Sequence, residues 1–120
     1  MAAFTTRPVI MGTRGVVTSG HYLASAAGFR IMDQGGNAIE AAAAMGFCLN
    51  LLEPQSSGIG GEVPTLVYSA KERKAFAISG MSWAPSAFTI DWCREHGIDL
   101  IPGDGYLPAC VRAVVDTWAT

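Results

Sequence analysis

Apolar positions recur along this chain with two different periods, and the switches between them mark the elements. From His21 to Gln34 the segment HYLASAAGFRIMDQ places Leu23, Ala27 and Ile31 on one stripe at helical spacing, and Gly35-Gly36 supplies a stop. Ahead of it, Gly15-Val-Val-Thr-Ser19 is short, β-branched and flanked by glycines, which predicts a buried strand or an extended lead-in, with Ser19 as the cap of the helix. Asn37 opens a second helix: it is a good cap, and Glu40 stands three residues on, where it reaches back to the cap's own N–H. The run to Leu52 carries one charge, so this helix is apolar on nearly every side and is predicted to pack centrally, ending at Glu53-Pro54.

After a Ser56 to Gly61 loop the composition turns to that of a hairpin. Val63 to Ser69 and Lys74 to Ser79 read as strands joined by the polar turn Ala70-Lys-Glu-Arg73, and Pro64 fits only a strand start or edge. A third helix is expected from Ala87 to His96, capped by Ser86 or Thr89 and stopped by Gly97. Beyond the turn Pro102-Gly-Asp-Gly105 and Pro108, the residues Val111, Val114, Val115 and Trp118 fall at i, i+3, i+4 and i+7. That last amphipathic helix meets no stop signal before Thr120. With no repeat, low-complexity stretch or linker, residues 1–120 read as one continuous piece of a longer protein, without separate domains.

Composition sharpens this. Half of the 120 residues are hydrophobic and only 15% are charged, against roughly 25% in typical globular domains. Such a chain exposes apolar area that needs cover, from a larger protein or from copies of itself. Its 8 basic and 10 acidic residues are scattered singly for a net charge of -2, which gives no footprint for nucleic acid or an anionic membrane. The longest apolar stretch, Ala41 to Leu52, is broken by Gly46 and Asn50 and falls short of the roughly 18 residues a spanning helix needs. The first residues lack the tripartite form of a secretory signal, so the chain as written is expected in the cytoplasm, or in the periplasm or outside the cell if a leader was removed. Cys48, Cys93 and Cys110 are odd in number and without metal-type spacing, which argues against a disulfide framework or a zinc site. No cofactor or metal is predicted.

Candidate chemistry concentrates in Gln55-Ser-Ser-Gly-Ile-Gly-Gly61, where three glycines beside two serines let the backbone approach a ligand. A phosphate cradle fits poorly: a dinucleotide fingerprint needs glycine where Val63 stands and runs from strand into helix, whereas this loop runs from helix into strand. A sharp structural turn or the wall of an acyl site fits better. His21 and His96 stand near helix ends, where an imidazole is commonly a surface or capping group. Cys48 sits within an apolar helix with nothing basic beside it and reads as a core residue. Asp91, Glu95 and Asp99 recur every four residues, the spacing of a solvated helix face, and Gly97 breaks the run. Trp83, Trp92 and Trp118 suit core or interface filling at least as well as ligand stacking. No catalytic set emerges from the residues alone.

Taken in order, Gly15-Val-Val-Thr-Ser19 with Leu23-Ala24-Ser25, Gln34-Gly-Gly-Asn-Ala-Ile-Glu-Ala-Ala42, Glu53-Pro-Gln-Ser-Ser-Gly-Ile-Gly-Gly61, Leu66-Val-Tyr68 and Ala84-Pro85 resemble the N-terminal part of the large subunit of γ-glutamyltranspeptidases and their relatives, including cephalosporin acylases. The resemblance spans most of residues 7 to 118. It implies an α/β (α+β) fold, a partial αββα sandwich of the N-terminal-nucleophile hydrolase type, made as a precursor that cuts itself into a large and a small subunit. In that family the nucleophile is the threonine that begins the small subunit, with its own α-amino group as base, and it lies beyond this chain. No catalytic residue is therefore expected here, and the 120-residue chain alone is expected to be inactive. Thr5 and Thr6 precede the large-subunit signature and are not that nucleophile; they read as edge or disordered residues. The implied partners are the remainder of the large subunit, the small subunit and a small-molecule amide donor; the fragment by itself is expected to self-associate or pack loosely.

The resemblance also assigns a donor-pocket wall to Gly60, Gly61, Met81 and Trp83, with two departures. Family transpeptidases place an arginine three positions before the Ala-Pro pair, where it holds the donor's α-carboxylate; that position is Met81 here, which cannot pair with an anion. Other relatives carry a basic residue immediately before Ala-Pro, where this chain has Trp83. The second departure is Glu62-Val63-Pro64, which replaces further glycines and adds a negative charge beside the expected pocket. The implied chemistry is transfer of a γ-glutamyl or related acyl group from an amide donor to an amino acid, a peptide or water, as in glutathione metabolism, while Met81 and Glu62 count against glutathione as the specific donor. A cephalosporin-acylase-like enzyme with a non-glutamyl donor, or a non-catalytic binding or assembly homologue, are the competing readings.

Overall fold

A computed structural model describes residues 8–120, and the expectations for Thr5, Thr6 and the opening residues lie outside that range. The described residues form helices and one two-stranded antiparallel sheet. They divide after Leu52 into two compact units.

The first unit is a pair of helices, α1 (Tyr22–Asp33) and α2 (Ala38–Leu52), packed on each other. The expected cap of α1 moves: His21 is the cap, its Nδ1 accepting from the Leu23 N–H at 3.2 Å, while the Ser19 hydroxyl instead donates to the His21 carbonyl at 2.8 Å and lies 2.7 Å from the Ser25 hydroxyl. Glycine's freedom is required at the helix end, where Gly35 takes φ +93°. The capping box of α2 forms in full. Asn37 Oδ1 accepts from the N–H groups of Ile39 (2.8 Å) and Glu40 (3.0 Å), and Glu40 Oε2 accepts from the Asn37 N–H at 2.8 Å.

The packing stripe of α1 is displaced by one residue from the expected Leu23, Ala27 and Ile31. Ala24 and Gly28 are the buried positions, and Leu23 stays 47% exposed. Small residues decide this, because they let two backbones approach: a methyl group on Gly28 would stand 2.6 Å from Met45 Cγ and 3.3 Å from the Ala41 carbonyl oxygen. Nor is α2 surrounded as its composition predicts. It buries Ala41 and Gly46, while Leu51 is 84% exposed and Ile39 and Phe47 are also exposed. Val16 is exposed and no strand forms at residues 15–19, so that segment is the extended lead-in.

The second unit begins with the short helix α3 (Pro54–Ser57), whose proline takes the first position, where its missing N–H costs no hydrogen bond. The hairpin follows as expected: β1 (Thr65–Ser69) pairs antiparallel with β2 (Lys74–Ile78) in the register Thr65↔Ile78 through Ser69↔Lys74. Helix α4 (Ile90–Glu95) is shorter than the sequence predicts. Residues 85–88 instead close a turn, with the Phe88 N–H on the Pro85 carbonyl, and of the two cap candidates Thr89 does the capping, its hydroxyl accepting from the Trp92 N–H at 3.1 Å. Helix α5 (Val114–Ala119) starts three residues after Val111 and buries Val114 and Thr117. Only Ala24, Ala41 and Val114 are fully buried apolar side chains among the described residues.

Candidate functional site

The β1–β2 pairing does not stop where the strands end. Two residues beyond Thr65↔Ile78 in the same register, the Val63 N–H donates to the Gly80 carbonyl at 2.9 Å; two further on, the Ser82 hydroxyl donates to the Gly61 carbonyl at 3.5 Å. Glycine is the one residue type tolerated at position 80. Gly80 takes φ +53°, and a Cβ on it would overlap the Val63 carbonyl. At the far end of this ladder the Gly61 N–H bonds the Gly58 carbonyl at 3.0 Å, so the glycine loop is the sharp helix-to-strand turn that competed with a phosphate cradle.

Side chains alternate along the extended ladder as a pleat requires. Gly61, Val63, Thr65, Val67, Phe76, Ile78, Gly80 and Ser82 are half-buried, whereas Glu62, Leu66, Tyr68, Ala77, Met81 and Trp83 are exposed. The expected pocket residues thus separate. Gly61 lies on the half-buried face and is bridged to the neighbouring segment through Ser82; Met81 and Trp83 project on the opposite face, 48% and 82% exposed, with Glu62 at the register position across from Met81. Gly60 sits in the turn, next to Gly61.

A third segment joins them. The Val111 N–H donates to the Trp83 carbonyl at 2.9 Å, and a Cβ on Gly60 would lie 3.9 Å from Arg112 Cγ. Glycine turn, Met81–Trp83 segment and residues 111–112 therefore converge. Beside the convergence is a cavity of about 420 Å³ lined by Ile59, Arg112, Val115, Asp116 and Ala119. Arg112 and Asp116 are four residues apart, yet the ion pairs among the described residues are Arg14–Asp33 (3.7 Å) and Asp91–Arg94 (3.2 Å), leaving these two charges unbridged. Sequence reading missed both. The available signal was that they are the two charges in the otherwise uncharged stretch 106–120.

The remaining candidates take structural roles. His21 caps α1; the His96 ring stacks on Trp92 at 4.0 Å with Nδ1 2.8 Å from the Trp92 carbonyl. Asp91 pairs with Arg94, and Cys48, Cys93 and Cys110 are half-buried free thiols. Among the described residues no group of three or more His, Cys, Asp or Glu side chains is placed to hold a metal, and no helix is long and apolar enough to cross a membrane.

Comparison with known proteins bears on the same segments. The family model for γ-glutamyltranspeptidase matches residues 24–120. The chain is 38% identical over 96 residues to the glutathione hydrolase proenzyme of Bacillus subtilis subsp. natto, a match covering 80% of this chain and 16% of that protein. It is 44% identical over 80 residues to the acylase ACY 1 proenzyme of Pseudomonas sp. (strain V22), covering 67% of this chain and 14% of that one. In three dimensions it matches the crystal structure of Helicobacter pylori γ-glutamyltranspeptidase with a TM-score of 0.80 at 32% identity, over 92% of this chain and 32% of that chain. The chain thus spans less than a fifth of the length of these curated relatives. The family match takes in the glycine turn, the whole hairpin and the Arg112 segment, every element that meets at the convergence, and this chain belongs to the γ-glutamyltranspeptidase family.

Proposed function

We propose that this chain is part of the large subunit of an enzyme that transfers an acyl group from a small amide donor to an amino acid, a peptide or water. The reading includes an αββα sandwich completed by chain outside these residues, and a precursor that cuts itself into two subunits with a threonine opening the smaller one. The observation that carries it is the family match across residues 24–120, reinforced by the hydrogen bonds that hold the glycine turn against the Met81–Trp83 segment. In this scheme the chain contributes positioning. Met81 and Trp83 supply the side-chain wall of the donor pocket from the exposed face, and Gly60 and Gly61 supply the backbone turn beside it, while nucleophile and base come from the small subunit. A terminal threonine suits the chemistry, because its own amine stands within reach of its hydroxyl as a base and acyl transfer then proceeds through a covalent intermediate. A wall tied into a β-ladder holds the donor in place during attack, and positioning of that kind accounts for a large share of catalysis.

The test is intact-mass and N-terminal analysis of the complete purified gene product. Two chains, the smaller beginning with threonine, are expected; a single uncut chain overturns the reading in favour of a non-catalytic binding or assembly homologue. A second reading, an acylase whose donor carries no carboxylate, is favoured by the apolar Met81 and by the similarity to the acylase ACY 1 proenzyme.

A further inference from the structure

We propose that Glu62, Met81 and Trp83 form a subsite for a cationic group on the acyl part of the donor, selecting amides whose acyl chain ends in an ammonium over those whose chain ends in a carboxylate. The proposal rests on the acyl-transfer reading above and names the donor class that the wall takes. The register that pairs Thr65 with Ile78 sets Glu62 across from Met81, and the Val63–Gly80 and Ser82–Gly61 hydrogen bonds on either side hold that pairing beyond the strand ends. Side chains directly opposed on one face of such a pair are neighbours, and an aromatic two residues along from the partner, about 7–8 Å away, is still within reach. Trp83 holds that diagonal position relative to Glu62. All three residues are exposed, on the face that Leu66 and Tyr68 also occupy.

Charge decides what this face attracts. Along its alternate positions, 62 to 68 on one strand and 75 to 83 on the other, Glu62 is the single charged residue. The ion pairs among the described residues are Arg14–Asp33 and Asp91–Arg94, so Glu62 is bridged to none of the described cations, Arg112 beside Gly60 included. Met81 has no hydrogen to donate to an anion. A carboxylate beside a thioether and an indole repels a second carboxylate and attracts an ammonium. The face of the indole adds to that attraction through its quadrupole, and the polarizable thioether suits the methylenes that carry the cation.

The experiment uses the complete processed enzyme and a set of isosteric anilides: 4-aminobutyryl; pentanoyl, in which a methyl group replaces the ammonium; and glutaryl, in which a carboxylate replaces it. Calorimetry with butylammonium reads binding independently of turnover. The wild-type enzyme should favour 4-aminobutyryl anilide over both others in kcat/KM. Glu62→Gln should lower the preference over pentanoyl anilide by about threefold or more, the scale of one exposed charge interaction, and Glu62→Asp should keep part of it. Trp83→Leu should lower the same ratio through loss of the indole face. Glu62→Lys should turn the preference toward glutaryl anilide, a reversal that local loss of structure does not produce. Ratios within about threefold of wild type in both Glu62→Gln and Glu62→Lys overturn the subsite and leave acyl transfer standing. If neither these anilides nor γ-glutamyl anilide is turned over, butylammonium binding weakened about threefold or more in Glu62→Gln upholds the subsite and overturns the acyl-transfer reading, whereas unchanged binding overturns both.

Discussion

Replacing Gly80 by alanine should open the ladder that joins the glycine turn to the Met81–Trp83 segment. Gly80 takes φ +53°, and the left-handed region costs an L-residue about 1–2 kcal/mol. The added methyl would also overlap the Val63 carbonyl and lie 3.2 Å from the Pro64 nitrogen, both of them backbone, so no side-chain rotation relieves it. The chain escapes by parting the two segments, which forfeits the Val63–Gly80 hydrogen bond, worth about 1 kcal/mol. Together these come to about 2–3 kcal/mol, or about 30- to 150-fold in the opening equilibrium. Gly97 is the internal control: it has φ +66° and nothing within 4 Å of an added methyl, so Gly97→Ala carries the conformational cost without the overlap. Amide hydrogen exchange on the complete protein, followed in peptides containing Val63, reads the difference directly. Exchange faster by about 30-fold or more is expected for Gly80→Ala, with no change at Val63 for Gly97→Ala. Protection of Val63 within threefold of wild type in Gly80→Ala would refute the reasoning.

Asn37→Ala removes the acceptor of two N–H groups at the start of α2 and should destabilise the protein by about 1–2 kcal/mol in denaturant unfolding, with Asn37→Asp retaining most of the stability. Met81→Arg should raise kcat/KM for a γ-glutamyl anilide in the complete enzyme; because Glu62 lies across from Met81 in the register, the gain should be larger in Met81→Arg combined with Glu62→Gln, and no gain in either counts against the assignment of the wall. The 120-residue chain on its own should self-associate, since Leu51, Leu66 and Trp83 are each more than four-fifths exposed; a sharp monomer peak in light scattering would contradict this.

What could be read from the sequence was what depends on neighbours. The capping box of α2 links residues three apart, the hairpin turn spans four, and both formed where Asn37, Glu40 and Ala70 to Arg73 indicated. The cap of α1 went astray because Ser19 and His21 both carry acceptors suited to it, and the imidazole reaches the Leu23 N–H while the serine turns to Ser25. The buried stripe of α1 lies one residue from the hydrophobic stripe because closeness of approach selects it over hydrophobicity: Ala24 and Gly28 are buried for their small size. Arg112 was invisible for a different reason. Its neighbour is Gly60, far away along the chain, and only the folded ladder and the Val111–Trp83 hydrogen bond bring the two together.

Burial alternates from Gly61 to Ser69 and from Lys74 to Ser82, beyond the strand ends at Thr65 and Ile78 and through the left-handed Gly80, and this alternation makes parity a constraint on how the segment can change length. Inserting one residue between Ile78 and Met81 would send Met81 and Trp83 to the face now held by Ile78 and Ser82, and would bring Ser82 to the open side. Two inserted residues would restore the faces but carry the wall about 7 Å along the strand, away from Gly60 and Arg112. The Ala70 to Arg73 turn is freer, because residues added beyond the closing Ser69↔Lys74 pair can be taken up as a longer loop at little cost in closure entropy. Length variation in natural or engineered versions of this segment should therefore collect at the turn and stay out of the stretch that carries Met81 and Trp83.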